Sequence, residues 1–201
     1  MCSPVIAFAC FALSGCSELR ISTAYYVEVG GQPQPANRVF RAGEAYRLAL
    51  NNGVPGCAYL LRREPDGSYQ VLFPSSSIGG GSAWLGRNAT VILPADGTFR
   101  FPEIGGEVEL LLLVSTYRSD DLSILEMKSQ IDASVMDDMV GAFERHPATV
   151  RWPAAEPSEV RVHQNAVPAA SGEDYRGNLV MIRSPLPEVG VVARFELRCE
   201  R

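Results

Sequence analysis

A chain of 201 residues, 46% hydrophobic and 20% charged, can bury a core of its own and reads as one ordinary domain or one domain with an extension. Its 18 basic and 23 acidic residues leave a formal net charge of -5 with no basic run, which argues against nucleic acid as a partner. Every basic residue but Lys128 is arginine, and the five cysteines and two histidines are spread too widely for metal-ligand spacing, so no metal or other cofactor is expected.

The first element is an uncharged apolar run from Val5 to Leu13, closed by Leu13-Ser14-Gly15-Cys16. Its length suits the apolar segment of a signal peptide and falls short of the roughly 20 apolar residues that a spanning helix takes. The Leu-Ser-Gly-Cys ending resembles the lipobox of bacterial lipoproteins, in which the cysteine thiol is diacylated and the peptide bond before it is cleaved. That resemblance implies a signal peptide over residues 1–15, lipid attachment at Cys16, and a mature chain held at a membrane surface by two acyl chains. No Lys or Arg precedes the run, a departure from the positive start of a secretory signal. Ser17 resembles the residue that passes lipoproteins to the outer membrane in enterobacteria, which favours the outer membrane over the inner. The competing reading is a buried N-terminal element of a cytoplasmic domain, with Cys16 a small core residue.

Residues 16–38 read as an anchor segment and first strand, with Tyr25, Val27 and Val29 on one face, followed by an extended or turning link at Pro33 and Pro35. Residues 39–146 read as a β domain with a packed helix. Up to about residue 116 they run as short alternating segments punctuated by Gly, Pro and Asn, the pattern of an antiparallel β-sandwich or barrel. Tyr46, Leu48 and Leu50 share an inward face with Arg47 pointing out; Cys57, Tyr59 and Leu61 follow on the next strand. Pro65-Asp66-Gly67 supplies a tight hairpin to Tyr69, Val71 and Phe73, and Pro74 stops that strand. Ser75 to Ser82 is expected as a flexible loop, and strands return near Thr90 to Leu93 and Phe99 to Phe101. The run Leu110-Leu111-Leu112-Leu113-Val114 is apolar on both faces and predicts a central strand covered by the opposing sheet and by a helix.

That helix is predicted from Val135, Met136, Met139, Val140 and Phe143 at helical spacing, with Ser134 or Asp132 as cap, Asp137 and Asp138 in the first turn, and Pro147 as the stop. Residues 147–201 form a C-terminal extension packed on the same domain, with strands at Val160 and Val162 and around Leu179 to Ile182. The last strand carries Ala193, Phe195, Leu197 and Cys199 on one face and Arg194, Glu196 and Arg198 on the other. The predicted fold is therefore mainly β, an antiparallel sandwich with one packed amphipathic helix and a C-terminal strand extension.

From Phe40 to Pro94 the features follow in a set order: Phe40, Gly43 and Glu44 as Phe-x-x-Gly-Glu, then Leu48 and Leu50, Gly56, Tyr59-Leu60-Leu61, Asp66-Gly67, Leu72-Phe73-Pro74 and Leu93-Pro94. This order resembles bacterial domain-of-unknown-function family 4384, a β domain of envelope and signalling proteins. The family has no established catalytic residues, so the resemblance implies an interaction or structural module and assigns no site.

Few residues offer chemistry. His163 shares the solvent face of its strand with Glu159 and Arg161, and His146 sits where a helix C-terminus favours a cation. Asp120-Asp121 and Asp137-Asp138 can be read as helix-start acids or as paired carboxylates of a hydrolase, with the first reading preferred. Gly79-Gly80-Gly81 lacks the Gly-Lys-Ser/Thr of a phosphate loop, and Ser82 is not in a nucleophile elbow. Cys57 and Cys199, left after the signal and the anchor are set aside, are an even pair in an oxidising compartment. They meet in a disulfide if the last strand returns beside the Tyr59 strand, and stay two small core residues if it does not. The expected protein is a lipid-anchored, periplasm-facing envelope module, non-enzymatic, whose partners are the membrane and another protein. Its alternatives are an envelope hydrolase using carboxylates between Asp120 and Asp138, or an assembly lipoprotein of a secretion machine.

Overall fold

The computed structural model describes residues 22–34, 38–145, 150–152, 160–163, 167–168, 174–175, 179–183 and 190–201. Their strands are β1 (Ser22–Val29), β2 (Gln32–Gln34), β3 (Phe40–Arg41), β4 (Ala45–Asn52), β5 (Gly56–Arg63), β6 (Tyr69–Phe73), β7 (Trp84–Leu85), β8 (Ala89–Leu93), β9 (Phe99–Arg100), β10 (Gly106–Ser115) and β11 (Gln130–Ile131). After helix α1 (Ala133–Glu144) come β12 (Val150–Trp152), β13 (Val160–His163), β14 (Val167–Pro168), β15 (Asp174–Tyr175), β16 (Leu179–Arg183) and β17 (Gly190–Glu200). The first sheet has the order β13-β16-β1-β4-β8, with β2 on β1 and β9 on β4. The second has the order β11-β6-β5-β10-β17-β12, with β3 on β17 and β7 on β5.

Alternation decides which residues fill the space between the sheets. Tyr25, Val27, Tyr46, Leu48 and Leu50 from the first sheet meet Ala58, Leu60, Leu110, Leu112, Ala193, Phe195 and Leu197 from the second, all buried in one cluster. Tyr25 stacks on Phe195 across the gap, with ring centroids 3.8 Å apart. Arg47, on the opposite face of β4, lies across from Glu28 of β1, its guanidinium 3.9 Å from the carboxylate. The architecture is the mainly β sandwich that the sequence predicts.

The second sheet is covered on its other face too. Met136, Met139, Val140 and Phe143 of α1 bury against Leu111, Leu113, Tyr59, Leu61 and Val192, while Val135 stays 40% exposed and falls off the stripe. The helix begins after Asp132, whose side chain makes no capping bond, and no acid lies in its first turn, so Asp137 and Asp138 stand one turn later than expected. It ends at Glu144 with Arg145 as C-cap; Pro147 lies outside the described residues. A 3-10 segment, Asp120–Glu126, adds Leu122 and Leu125 to the same layer and does carry Asp120 and Asp121 in its first turn.

Two local devices set the strand faces. The Pro65-Asp66-Gly67 hairpin closes with Gly67 N–H to the Glu64 carbonyl (2.9 Å) and Glu64 N–H to the Ser68 carbonyl (2.8 Å), with Gly67 at φ 88°. A bulge then pairs Leu60 with Phe73 but Leu61 with Val71. The extra residue, Leu72, puts Phe73 between the sheets while Tyr69 and Val71 face the helix, so those three do not share one face. The Phe-x-x-Gly-Glu segment carries the chain from one sheet to the other: Phe40 of β3 is buried against Phe101, Gly43 turns at φ 72°, and the Glu44 carboxylate accepts from Arg41 N–H (3.0 Å) and from Arg38 (2.7 Å). Ser75 to Ser82 is a turn held by Ser75 Oγ to Ser77 Oγ (2.6 Å) and by a bridge between Ser75 and Ile78.

β17 is no loose appendage. It pairs with β10 from Gly190–Ser115 to Cys199–Gly106, in the middle of the second sheet.

Candidate functional site

Cys16 lies outside the described residues, as do the side chains of His146 and His163. Cys57 and Cys199 are described, and both are free and buried. Their disulfide is ruled out by register. On β10, Cys57 is opposite Ser115 and Cys199 is opposite Gly106, at the two ends of a strand that spans roughly 30 Å at ~3.3 Å per residue. They also occupy different layers, Cys57 under the helix and Cys199 between the sheets. A bridge needs Cα atoms within ~7 Å. The physical reason is that β17 returns beside β10 and not beside β5. Burial pushes both thiols above the ordinary cysteine value, and the Cys199 thiol donates to the Gly106 carbonyl (3.4 Å). Alkylation after unfolding without reductant should therefore modify both cysteines, and a linked peptide pair in mass spectra would contradict this register.

The acidic pairs do not converge. Asp120, Asp121, Asp137 and Asp138 are exposed, and among the described residues no three His, Cys, Asp or Glu side chains are placed to share a metal ion. A polar cluster at the edge of the helix layer joins Tyr59, Glu126 and Arg118. The fully buried Tyr59 hydroxyl donates to Glu126 at 3.5 Å, and Arg118 clamps the other carboxylate oxygen at 2.8 Å. Burial pushes the Tyr59 hydroxyl well up, with Cys57 and Glu126 adding to the shift. Hydroxyl and thiol therefore stay protonated and neutral, and the cluster ties the 3-10 segment to β5 without offering a nucleophile.

A concave surface lies at the end of the sandwich that carries the β5–β6 hairpin. A cavity of about 470 Å³ is lined by Arg62, Glu64, Pro65, Asp66, Gln70 and Gln130, among others. A second of similar size, on the other side of Arg62, meets Arg63, Arg100 and Glu107. Arg62 is the wall between them. It sits across from Gln70 in the ladder, donates to Gln70 (2.7 Å) and to Glu64 (2.9 Å), and lies 5.9 Å from the Phe99 ring centroid. Asp66 accepts from the Ser68 N–H (2.9 Å) and hydroxyl (2.6 Å), which lowers its carboxyl below the usual range. With Arg63 paired to Glu109 (3.0 Å), the surface presents satisfied polar groups in alternating sign. Such a rim suits a polar protein contact. The sequence reading missed Arg62 and Gln70; the available signal was a polar residue on each side of the hairpin, where the apolar alternation stops.

Tyr46, on the inner wall near this end, has its hydroxyl pushed up to about 12 by burial, with Arg62 pulling the other way. Tyr25 and Tyr59 are shifted upward more strongly by burial. Because tyrosine in the unfolded chain titrates near 10, the native state holds more protons above that pH. The stability these groups contribute is complete below pH ~10 and falls as pH rises toward about 12. Denaturant midpoints should drop across that window, and tyrosinate absorbance of the buried rings should appear together with unfolding; full ionisation in a still-folded chain would contradict their burial.

No protein family, curated protein or solved structure matches the chain.

Proposed function

We propose that the chain is a lipid-anchored protein of the bacterial cell envelope, facing the periplasm, whose β-sandwich acts as a non-enzymatic interaction or structural module. The observation that carries this reading is Leu13-Ser14-Gly15-Cys16 at the end of an uncharged apolar run, placed six residues before the first strand. The order of motifs from Phe40 to Pro94, with its resemblance to domain-of-unknown-function family 4384, supports the module. So does the polar rim around Arg62, which lies at the end of the sandwich away from Ser22 and so faces away from the anchor. Among the described residues no helix is long and apolar enough to cross a membrane. In this reading the anchor is the pair of acyl chains on Cys16. The partner at the rim is another envelope protein, and Ser17 favours the outer membrane over the inner.

The test is acylation. Expressed with a labelled fatty acid, the wild-type chain should carry the label and begin at Cys16, and Cys16→Ser should carry none and remain unprocessed. An unlabelled wild-type chain whose first residue is Met1 would overturn the reading.

A further inference from the structure

The two ends of the sandwich differ in chemistry, and the strand registers say at which end β1 begins. Ser22 opens β1, whose next residue, Thr23, is opposite Asn52 at the finish of β4. Three residues, 53–55, then carry the chain into β5 in the other sheet, so β4 ends and β5 begins at the same end of the sandwich. There Cys57 of β5 is flanked by Trp84 of β7 on one side and by Ser115 of β10 on the other. Tyr117 follows two residues after Ser115. Trp84 is 51% exposed and Tyr117 40% exposed, and Arg87 and Arg118 are exposed close by in the same loops.

The loops described at this end carry few charges. Segments 53–55, 74–88 and 116–119 contain no Asp or Glu; their charged residues are Arg87 and Arg118, and Arg118 is paired with Glu126 (2.8 Å). The opposite end carries Glu44, Glu64, Asp66, Glu103 and Glu107 interleaved with Arg62, Arg63 and Arg100. Reach separates the two ends as well. From Cys16 to Ser22 an extended chain covers at most ~20 Å at ~3.5 Å per residue. The ten residues of β10 span roughly 30 Å. An acyl anchor on Cys16 therefore holds the Trp84 end closer to the bilayer than the hairpin end.

We propose that this end docks on the bilayer interface, with Trp84 and Tyr117 at headgroup depth and the Arg87 guanidinium beside lipid phosphates. The proposal rests on the lipid-anchor reading, which supplies the proximity. Trp and Tyr have an apolar body and a polar tip, the pairing that places them at membrane–water boundaries. Arginine stems lie along apolar surface while their heads reach phosphate oxygens. Asp120 and Asp121 are exposed just beyond Arg118 and oppose strongly anionic lipid. The contact is accordingly aromatic first, and its dependence on salt is weak.

The test uses the full acylated chain in vesicles of phosphatidylethanolamine and phosphatidylglycerol. Trp152→Phe leaves Trp84 as the one tryptophan, since the chain has two. Its emission should shift to the blue relative to the unacylated Cys16→Ser chain in solution. It should also be quenched about twofold more by lipids brominated near the headgroup than by lipids brominated at the chain end, because the indole sits at the boundary. Wild type compared with Trp84→Phe gives the same answer without altering Trp152, the quenched fraction disappearing in the variant. Unquenched Trp84 on a chain whose Cys16 carries its acyl mass would overturn the docking and leave the anchor standing. A Cys16 without acyl mass would overturn the anchor, and the docking with it.

Discussion

Replacing Gly56 with alanine should destabilise the protein by about 3 kcal/mol or more, a large effect for one methyl group. A Cβ at Gly56 would point into the carbonyl oxygen of Ser115, well inside van der Waals contact, and would lie 3.2 Å from the Ser115 carbonyl carbon and 3.3 Å from the Thr116 Cα. These are backbone atoms of a ladder that fixes Cys57 opposite Ser115, so no side chain can swing aside to make room. The urea midpoint should fall while the slope of the transition stays the same. A midpoint equal to the wild type would mean that β5 and β10 do not meet at this register.

Phe143→Ala should cost about 3 to 5 kcal/mol, because the ring is buried at the end of the α1 stripe and leaves a cavity when removed. The ring lies directly over Gly190, where an added Cβ would overlap its Cζ and Cε atoms. Gly190→Ala should cost about 1 to 3 kcal/mol alone, since the ring is buried and must shift. In the Phe143→Ala background the same alanine meets an empty space. The double variant should be less destabilised than the sum of the two by about 1 kcal/mol or more, whereas strict additivity would place the ring elsewhere.

Much of this fold is legible wherever a single period runs uninterrupted. The alternation of Ala193, Phe195, Leu197 and Cys199 with Arg194, Glu196 and Arg198 appears unchanged in the burial of β17. The doubly apolar Leu110 to Val114 run is the strand covered on both faces. Where the chain gains or loses one residue, alternation misleads: the bulge at Leu72 turns Phe73 away from Val71, and no residue type announces it. Pro33 marked a link, yet it sits in β2, paired with β1 through a turn at Gly30 and Gly31. Proline fits there because β2 pairs on one side only. The segment Asp120–Glu126 is too short to show a helical period.

The site is legible in a different way. A lipobox-like tetrapeptide is local and needs no fold to be seen. The meeting or separation of Cys57 and Cys199 is not local, because it depends on which neighbour β17 takes, and inward-facing patterns alone did not say whether that was β5 or β10. Arg62, Gln70 and Glu64 became a group only once the hairpin register was known, as did Trp84 and Tyr117, which are 33 positions apart in the chain and are brought together by β5.

The place of β17 has a consequence for how the protein is made. β10 is the strand about which the second sheet is organised, yet the partner of its first residue lies 93 positions further on. Until that stretch has been synthesised, β10 has one open edge and its leucines lack half their cover, so the nascent chain cannot settle into the sandwich. Closure across so long a separation is slow, and it leaves the polypeptide in a threadable, uncommitted form until its C-terminal strand is made. For a chain exported as proposed above, this order suits passage through a narrow translocation channel before the shape is acquired.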